Sequence, residues 1–308
     1  MSTESPRLLV VGGNGFIGRH IVSHALGLKW TVTSLSLSLP AAGDRVEDVT
    51  YLAADVSSGQ ALAQALIDPS FEYVVNCGGY INHAIFSAGG QKVFNAHFLG
   101  ALNLSQHLNR NALVSYVNIG SSDEYGDNPA PQSEAQRESP ISPYSLGKVA
   151  ATHFLEMLHR TEAFPSTTLR LFLTYGPGQD AGRFLPQIIK GCLEGRAFPT
   201  SGGQQLRDFC FVSDTVAAVF AAFGKPAARG QTINIGSGVG VSIRQMIQSV
   251  QSLIGRGEPL FGQVTYRPGE NMALYADVAK ARALLGWSVS VPLDAGLLQT
   301  IEWVEGRV

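Results

Sequence analysis

Three glycines that follow the first apolar run constrain the fold of this chain more than any other feature. Leu8–Val11 leads into Gly12, Gly15 and Gly18, and a second apolar run at Thr31–Leu35 follows a stretch with helical spacing of apolar residues. Strand, helix and strand in this order predict a parallel crossover unit. A pyrophosphate needs such a turn, because glycine lets the backbone approach closely and helix N–H groups face the anion. The sequence therefore predicts a dinucleotide site at this turn.

The alternation of strands and helices continues through the first half of the chain. Further elements are predicted at Tyr51–Ala53, Ala61–Ile67, Tyr73–Asn76, Val93–Leu108, Ser115–Ile119, Tyr144–Arg160 and Thr168–Leu173. Such an alternation packs as a parallel sheet with helices on both faces. We therefore predict an α/β fold built on a Rossmann-type, doubly wound parallel sheet.

The second half of the chain has shorter elements between connections rich in glycine and proline, which indicates a smaller C-terminal α/β lobe interleaved with the first domain. We predict a dinucleotide-binding domain at residues 1–174 with about 210–241. Residues 175–209 and 242–308 are predicted to form the lobe.

Three local patterns lie within this second half. Ser213–Phe223 begins with a Ser-Asp pair suited to capping a helix, and Ser242 with Gln245 has the spacing of a capping box. Thr232–Ile235 is predicted to be one more strand of the sheet.

Composition excludes several classes of protein. The 308 residues are 45% hydrophobic and 15% charged, so a large core is possible and disulfides are not needed. Lys and Arg number 22 against 24 Asp and Glu, a net charge of −2, which disfavours a nucleic-acid partner. Cys77, Cys192 and Cys210 lie far apart and are interpreted as structural thiols of a reducing compartment.

Targeting and metal signals are also absent from the sequence. The amino terminus lacks the order of a secretory signal, and no apolar run approaches the roughly 20 residues of a membrane span. We expect a cytoplasmic protein without a membrane partner. His20 and His24 have the spacing of a metal pair but no third ligand in a suitable context, so no metal is predicted.

The residue expected to bind the adenosine ribose is unusual. An acidic side chain would bind both ribose hydroxyls of NAD at the end of the second strand, but Ser36 stands there. No arginine follows within Leu35–Leu39 to attract a 2′-phosphate, so NADP is favoured over NAD only mildly. Asp55, after the third strand, is either an adenine contact or a carboxylate that caps its own turn.

A second set of residues points to proton transfer. Tyr144 and Lys148 lie four apart on one predicted helix and therefore share a face. A lysine beside a phenol lowers the pKa of the phenol towards the range of acid–base catalysis. Ser121 and Ser122 lie where the fifth strand ends, at the sheet edge that binds ligands in such folds.

These motifs together resemble the extended short-chain dehydrogenases/reductases that act on nucleotide-diphosphate sugars. The matching segments appear in family order over nearly the whole chain: Gly12–Gly18, Ser121–Gly126, Ser142–Lys148, Tyr175–Gly178, Gln205–Phe209, Arg267–Glu270 and Leu285–Trp287.

The resemblance implies a role for several residues. Ser121 would hydrogen-bond the sugar oxygen that is oxidised or reduced, Tyr144 would exchange its proton, and Lys148 would hold the nicotinamide ribose. Arg207 and Arg267 fall where the family binds the diphosphate, for which two guanidinium groups are chemically suited.

Other positions are expected to line the same two sites. The cofactor set adds Phe16 and Ile17 of the glycine turn and Gly78 and Gly79, which replace the family's usual Ala-Ala pair. The substrate set adds Ser122 and His83, of which His83 is equally compatible with a structural role.

Departures from the family pattern affect the predicted reaction. Asp123 stands where dehydratases carry Glu, and an acid–base role and a structural role remain open for it. Glu124 occupies a position that is usually apolar in the family. Leu173, at the end of the sixth strand, and His97, in the long helix, each stand where the family usually has Asn.

The resemblance is nearest to the branch that reduces a nucleotide-linked 4-keto-6-deoxyhexose, which is the first hypothesis. A 4-epimerase acting through a transient 4-keto sugar is the alternative, and a 4,6-dehydratase is the second alternative. A dinucleotide-binding regulator without turnover represents a different class. By the same resemblance, the helices Val93–Leu108 and Tyr144–Arg160 would pair in a homodimer.

Overall fold

A seven-stranded parallel sheet forms the centre of the computed structural model, which describes residues 5–82, 84–266 and 270–307. The strands are β1 (Arg7–Val11), β2 (Thr31–Ser36), β3 (Val49–Ala53), β4 (Tyr73–Asn76), β5 (Ser115–Ser121), β6 (Ser166–Leu171), β7 (Leu173–Tyr175), β8 (Ala197–Thr200), β9 (Leu206–Arg207), β10 (Phe209–Phe211), β11 (Thr232–Ile235), β12 (Val241–Ser242), β13 (Glu258–Phe261) and β14 (Ala273–Leu274).

The order of strands in the large sheet is β3-β2-β1-β4-β5-β6-β11, and every neighbouring pair is parallel. Chain order reverses between β1 and β4, which creates a crevice at the carboxyl ends of these two strands. The prediction of a doubly wound parallel sheet is therefore confirmed.

Helices cover both faces of this sheet and build the second half of the chain. They are α1 (Phe16–Gly27), α2 (Gly59–Ala65), α3 (Gly90–His107), α4 (Pro143–Glu162), α5 (Phe184–Leu193), α6 (Val212–Ala222), α7 (Ile243–Ile254), α8 (Ala279–Leu285) and α9 (Leu293–Glu305). Apolar residues of α1 and α6 fill one face of the sheet, and those of α2, α3 and α4 fill the other.

A separate apolar cluster holds the second half together. Residues of α5, α7 and α9 pack around aromatic side chains that include Tyr175, Phe209 and Phe211. Three short sheets, β10-β7, β12-β9-β14 and β13-β8, surround this cluster. The domain boundaries given above stay a prediction, although β11 does return to the large sheet beside β6.

Of the two helix caps predicted in the second half of the chain, the structure has one and lacks the other. Ser242 caps α7 and forms the predicted capping box with Gln245. The predicted cap at Ser213 is wrong, because α6 begins directly after Phe211 without a side-chain cap. The Asp214 carboxylate instead accepts hydrogen bonds from Ser290 and from the backbone N–H of Val291, so tertiary contacts fix this helix.

Close backbone contacts explain why glycine stands at positions 12 and 18 of the glycine turn. Gly12 has φ +78°, and a Cβ there would lie 2.8 Å from the carbonyl oxygen of Cys77. A Cβ on Gly18 would lie 2.2 Å from the carbonyl oxygen of Gly12. Helix α1 therefore packs directly on the turn, with its first N–H groups at the crevice.

No helix in the described ranges combines the length and the apolar character that crossing a membrane requires. Among the described residues, no group of three or more His, Cys, Asp or Glu is arranged to hold a metal ion. His20 contacts the carbonyl oxygen of Pro177, and His24 packs on Phe220.

The close packing of α1 on the turn can be tested with Gly18→Ala. We expect the free energy of unfolding to fall by about 1–3 kcal/mol, because the new methyl group overlaps a backbone oxygen that cannot rotate away. Denaturant unfolding measures the change. Gly27→Ala is the matched control on the same helix, because nothing lies within 4 Å of its Cβ. Equal stability of the two variants would contradict this account.

Candidate active site

A cavity of about 750 Å³ opens at the crevice between the carboxyl ends of β1, β4 and β5. It brings together most of the predicted site residues in the described part of the chain. The glycine turn, including Phe16 and Ile17, lines one part of it, and Tyr144, Lys148 and the end of β5 line another part, here called the floor. Its predicted lining residues are Gly12, Gly15, Phe16, Ile17, Gly18, Gly78, Gly79, Ser121, Ser122, Asp123, Tyr144 and Lys148.

Tyr144 lies in the first turn of α4, and its side chain is only 5% exposed. Ser142 caps this helix and Pro143 occupies its first turn. Together they fix where the helix begins and therefore where Tyr144 lies. A side-chain hydrogen bond joins Tyr144 to Ser121. Burial first, and then the charge of Asp123, raise the pKa of the phenol, so Tyr144 is protonated at neutral pH. The expectation that Lys148 lowers this pKa towards the catalytic range is therefore wrong for the protein alone, because burial outweighs the neighbouring cation.

Lys148 follows one helical turn later and faces the same cavity. Its Nζ donates a hydrogen bond to the carbonyl oxygen of Ile119 at 2.6 Å and lies 5.9 Å from the centre of the Tyr144 ring. Burial lowers the pKa of the amine to about 8, although the charge of Glu124 opposes this shift. The lysine is therefore charged at neutral pH but close to its titration range.

Ser121 is the last residue of β5 and is held by its own backbone. Its N–H donates to Glu124 Oε1 at 2.9 Å, and its Oγ accepts from the N–H of Asp123 at 3.2 Å. These reciprocal bonds form a capping box for the single turn that follows the strand. The hydroxyl is thereby fixed beside Tyr144.

Glu124 anchors a buried ion-pair cluster beneath Ser121. The side chain is 0% exposed, and its Oε2 accepts from Arg170 Nε at 2.8 Å and from Thr152 Oγ1 at 3.1 Å. Arg170 is 1% exposed and also donates to the carboxylate of Glu138. The unusual acid at this position is therefore structural, because its two oxygens are bonded away from the cavity.

Asp123 differs from its neighbour, because it lines the cavity. Its charge contributes to raising the pKa of Tyr144 and favours the charged form of Arg207, which places its carboxylate near both groups. The structure thus brings Asp123 into the same cavity as Tyr144.

The ends of β2 and β3 hold the two predicted adenosine contacts. Ser36 Oγ accepts a hydrogen bond from the N–H of Asn14, within the glycine turn, at 3.2 Å. Asp55 Oδ1 accepts from the N–H and Oγ of Ser57, so this carboxylate caps its own turn. The structural interpretation of Asp55 is therefore realised, and an adenine contact stays a prediction.

His97 lies against the catalytic candidates rather than on the surface. Its ring packs edge-on against Tyr144 with centroids 5.1 Å apart, and Nε2 bonds the carbonyl oxygen of Tyr80. Burial, reinforced by the charge of Lys148, lowers the pKa of the imidazole to about 3. His97 is therefore neutral at the pH of any ordinary assay.

The predicted diphosphate contacts are only partly described. Arg207, on β9, is mostly buried and pairs with the carboxylate of Glu270. Buried Asp208, the next residue, accepts bonds from the N–H groups of Ser237, Gly238 and Ala276 and so fixes this segment. Arg267 and His83 lie outside the described residues.

Sequence reasoning assigned no role at the site to two residues that line the cavity, Arg183 and Cys77, or to Arg170, which lies beneath it. Arg183, at the start of α5, lines it, and its charge opposes the raised pKa of Tyr144. Cys77 lies next to Gly78 and faces Lys148, with a pKa raised by burial to about 12. Arg170 carried no signal, because it lies inside a strand of otherwise apolar and hydroxyl residues.

The cavity connects the glycine turn with Tyr144 and Lys148. The model of the NAD dependent epimerase/dehydratase family matches residues 8–236, more than half of the chain. A dTDP-glucose 4,6-dehydratase of Xanthomonas campestris pv. campestris (strain B100) is 27% identical over 327 residues, covering 96% of this chain and 92% of the relative.

Two solved structures are similar over nearly their whole length. UDP-glucose 4-epimerase of Thermotoga maritima, with UDP-glucose, is 25% identical and has a TM-score of 0.90, covering 98% of this chain and 99% of that chain. UDP-glucuronic acid 4-epimerase of Bacillus cereus, in complex with UDP-glucuronic acid and NAD, is also 25% identical, with a TM-score of 0.85 and coverage of 98% and 100%.

This chain belongs to the NAD-dependent epimerase/dehydratase family and is an enzyme of the extended short-chain dehydrogenase/reductase type, whose relatives act on nucleotide-diphosphate sugars. The resemblance seen in the sequence is confirmed. The hypothesis of a regulator without turnover is set aside, because the family and these relatives are enzymes.

The cluster beneath Ser121 can be tested with Arg170→Met. Removing one partner leaves the Glu124 carboxylate buried without a cation, so we expect the free energy of unfolding to fall by about 3–5 kcal/mol. Arg110→Met is the control, because the pair of Arg110 with Glu162 is exposed and contributes at most about 1 kcal/mol. Denaturant unfolding compares the two, and losses of similar size would refute a special role for the buried pair.

Proposed function

We propose that this enzyme reduces the C4 carbonyl of a nucleotide-diphosphate 4-keto-6-deoxyhexose, with Tyr144 as the proton donor. The observation that carries this proposal is the buried, protonated Tyr144 hydrogen-bonded to Ser121 on the floor of the cavity. A nicotinamide dinucleotide at the glycine turn supplies the hydride when it is bound.

The glycine turn fits the pyrophosphate of that cofactor. Gly12, Gly15 and Gly18 have no side chain that would keep a phosphate away from the backbone. The first N–H groups of α1 are available to bind the phosphate oxygens. Lys148, also part of the floor, donates to a backbone oxygen through one proton and has two more for ribose hydroxyls.

Tyr144 and Ser121 would both donate hydrogen bonds to the substrate oxygen. A ketone oxygen in reach of both accepts two hydrogen bonds, which polarise the carbonyl. As hydride adds to C4, the phenol proton passes to the oxygen and a C4 hydroxyl results. The charge of Arg183 favours the phenolate left behind, and the Lys148 ammonium lies 5.9 Å from the centre of the same ring.

The acids of the site favour reduction over 4,6-dehydration. Water elimination needs one group to take a proton from carbon and another to protonate the leaving hydroxyl. Of the adjacent pair, only Asp123 faces the cavity, because Arg170 and Thr152 hold Glu124 below it. Dehydration remains the second alternative because a dTDP-glucose 4,6-dehydratase is among the relatives.

A 4-epimerase is the alternative that the solved structures favour. The Thermotoga maritima UDP-glucose 4-epimerase shares the fold over 98% of this chain. The same Tyr144 would then remove the proton first and return it after the keto sugar has turned over. The return of the proton is the same step as in the proposed reduction, so the neutral phenol of Tyr144 serves both reactions.

Absorbance of reduced nicotinamide separates these reactions. A reductase consumes NADPH or NADH in a one-to-one ratio with a 4-keto-6-deoxy sugar nucleotide. Interconversion of UDP-glucose and UDP-galactose without net redox change would replace this proposal by the epimerase. A keto product that accumulates from an unmodified sugar nucleotide would replace it by the dehydratase.

Tyr144→Phe should lower the rate of reduction by at least about a hundred-fold, the lower range for a positioned proton donor, while dinucleotide binding is retained. Single-turnover oxidation of bound NADPH measures the rate, and calorimetry measures binding. Tyr116→Phe is the control, because this equally buried phenol lies outside the cavity lining. Unchanged turnover of Tyr144→Phe would remove the phenol from the mechanism.

The titration of Lys148 predicts that kcat/KM falls as pH rises through about 8, where the buried amine loses its charge. Since its pKa in the folded chain is below the unfolded value, the unfolded chain binds more protons in this range, and the contribution of Lys148 to stability rises with pH. The titration of Lys148 itself therefore does not destabilise the fold as pH rises. A pH–rate profile with parallel thermal melts tests this, and a rate that stays constant well above this pKa would contradict it.

The homodimer stays a prediction from the family. Two observations are compatible with it: α3 and α4 pack against each other, and α4 exposes the apolar side chains of Leu146 and Met157.

A further inference from the structure

An arginine of α1 is held at the end of β2, where the sequence offers no nearby cation. Arg19 Nε donates a hydrogen bond to the carbonyl oxygen of Asn14 at 2.8 Å. Asn14 in turn donates through its N–H to Ser36 Oγ and through Nδ2 to the carbonyl oxygen of Ser38 at 2.9 Å. Asn14 thereby links the guanidinium of Arg19 to the last residue of β2 and to the loop that follows.

The charge of Arg19 is available to a ligand. The side chain is exposed, and across the described ranges no carboxylate forms an ion pair with it. Two exposed arginines, Arg110 and Arg196, pair with Glu162 and Glu194, whereas Arg282, like Arg19, forms no ion pair within the described ranges. The bond to Asn14 uses Nε alone, so both terminal nitrogens of Arg19 remain as donors.

The end of β2 is where the adenosine ribose of a dinucleotide lies in a βαβ unit. A carboxylate there selects NAD, because it binds the 2′-hydroxyl and repels a 2′-phosphate. Ser36 has a hydroxyl instead, and since its oxygen accepts from Asn14, its proton is free to be donated. Residues 35–39 contain no acid.

We propose that Arg19 and Ser36 bind the 2′-phosphate of NADP(H), so that this enzyme prefers NADP(H) over NAD(H). The inference rests on the cofactor site of the proposed function and adds a specificity residue to it. A guanidinium with two free nitrogens matches a phosphate in a bidentate manner. Arg19 was not evident from the sequence because it precedes the ribose position by a whole helix instead of following it.

Calorimetric titration with NADP⁺ and with NAD⁺ tests the preference without relying on turnover. The wild-type chain should bind NADP⁺ at least about ten-fold more tightly than NAD⁺ at low salt. Arg19→Ala should weaken NADP⁺ binding at least about five-fold more than NAD⁺ binding. Arg282→Ala, which removes an exposed arginine of α8, is the charge-matched control and should keep the wild-type ratio.

Ser36→Asp is the second variant, and it should reverse the preference in favour of NAD⁺, because the new carboxylate repels the 2′-phosphate. Adenosine 2′,5′-bisphosphate and 5′-AMP serve as further probes, because they differ only in the 2′-phosphate. The bisphosphate should bind more tightly to the wild type and lose this advantage in Arg19→Ala.

The outcomes separate this inference from the proposed function. NAD⁺ bound as tightly as NADP⁺ by the wild type, or an equal loss for both in Arg19→Ala, would overturn the role of Arg19 and leave the dinucleotide site in place. Failure to bind either dinucleotide, with an unchanged thermal melt, would overturn the cofactor site and the proposed function with it.

Discussion

The buried ion pair between Glu124 and Arg170 is the interaction on which the arrangement of the site depends. Both side chains are almost fully buried, and Glu124 also bonds the N–H of Ser121 and the hydroxyl of Thr152. One carboxylate therefore joins the end of β5 to α4 and β6, the elements that carry or flank Ser121, Tyr144 and Lys148. Burial of two charges is costly, and the extra hydrogen bonds offset that cost. What this pair contributes is the fixed position of the serine relative to the phenol.

Much of the fold was predictable because its signals are local. Gly12, Gly15 and Gly18 occur at a strand-to-helix turn whose steric demands are the same in any chain, and Tyr144 and Lys148 share a face by helical geometry alone. The crevice follows as well, because the order of strands in a doubly wound sheet reverses beside the first strand. These inferences need neighbours within one turn or one crossover, which a single sequence provides.

Other parts of the site depend on contacts between distant segments and could not be predicted. Glu124 was recognised as unusual, but its partner Arg170 lies 46 residues away. The sequence around Arg170 is typical of a buried strand without charges. Asp214 is a residue type that often caps helices, yet its carboxylate accepts a hydrogen bond from Ser290, 76 residues further along the chain. In both cases a tertiary partner outweighed the local preference of the side chain. Arg19 belongs to the same group, because its partner Asn14 is bonded to Ser36, 22 residues further along the chain, only in the folded protein.

The charges around Tyr144 act on the direction of proton transfer. Burial and Asp123 raise the pKa of the phenol, while Arg183 opposes them, so the resting group is neutral and ready to donate. Every unit by which its pKa exceeds the ambient pH adds about 1.4 kcal/mol to the cost of starting from the phenolate. Donation to a ketone oxygen starts from the abundant form, whereas abstraction from a hydroxyl starts from the rare one. An oxidised, positively charged nicotinamide reduces that difference, because its charge favours the phenolate, and a reduced nicotinamide leaves it in place. The neutral phenol of Tyr144 is thus suited to the half-reaction that reduces a 4-keto sugar, a step that the proposed ketoreductase and the alternative 4-epimerase have in common.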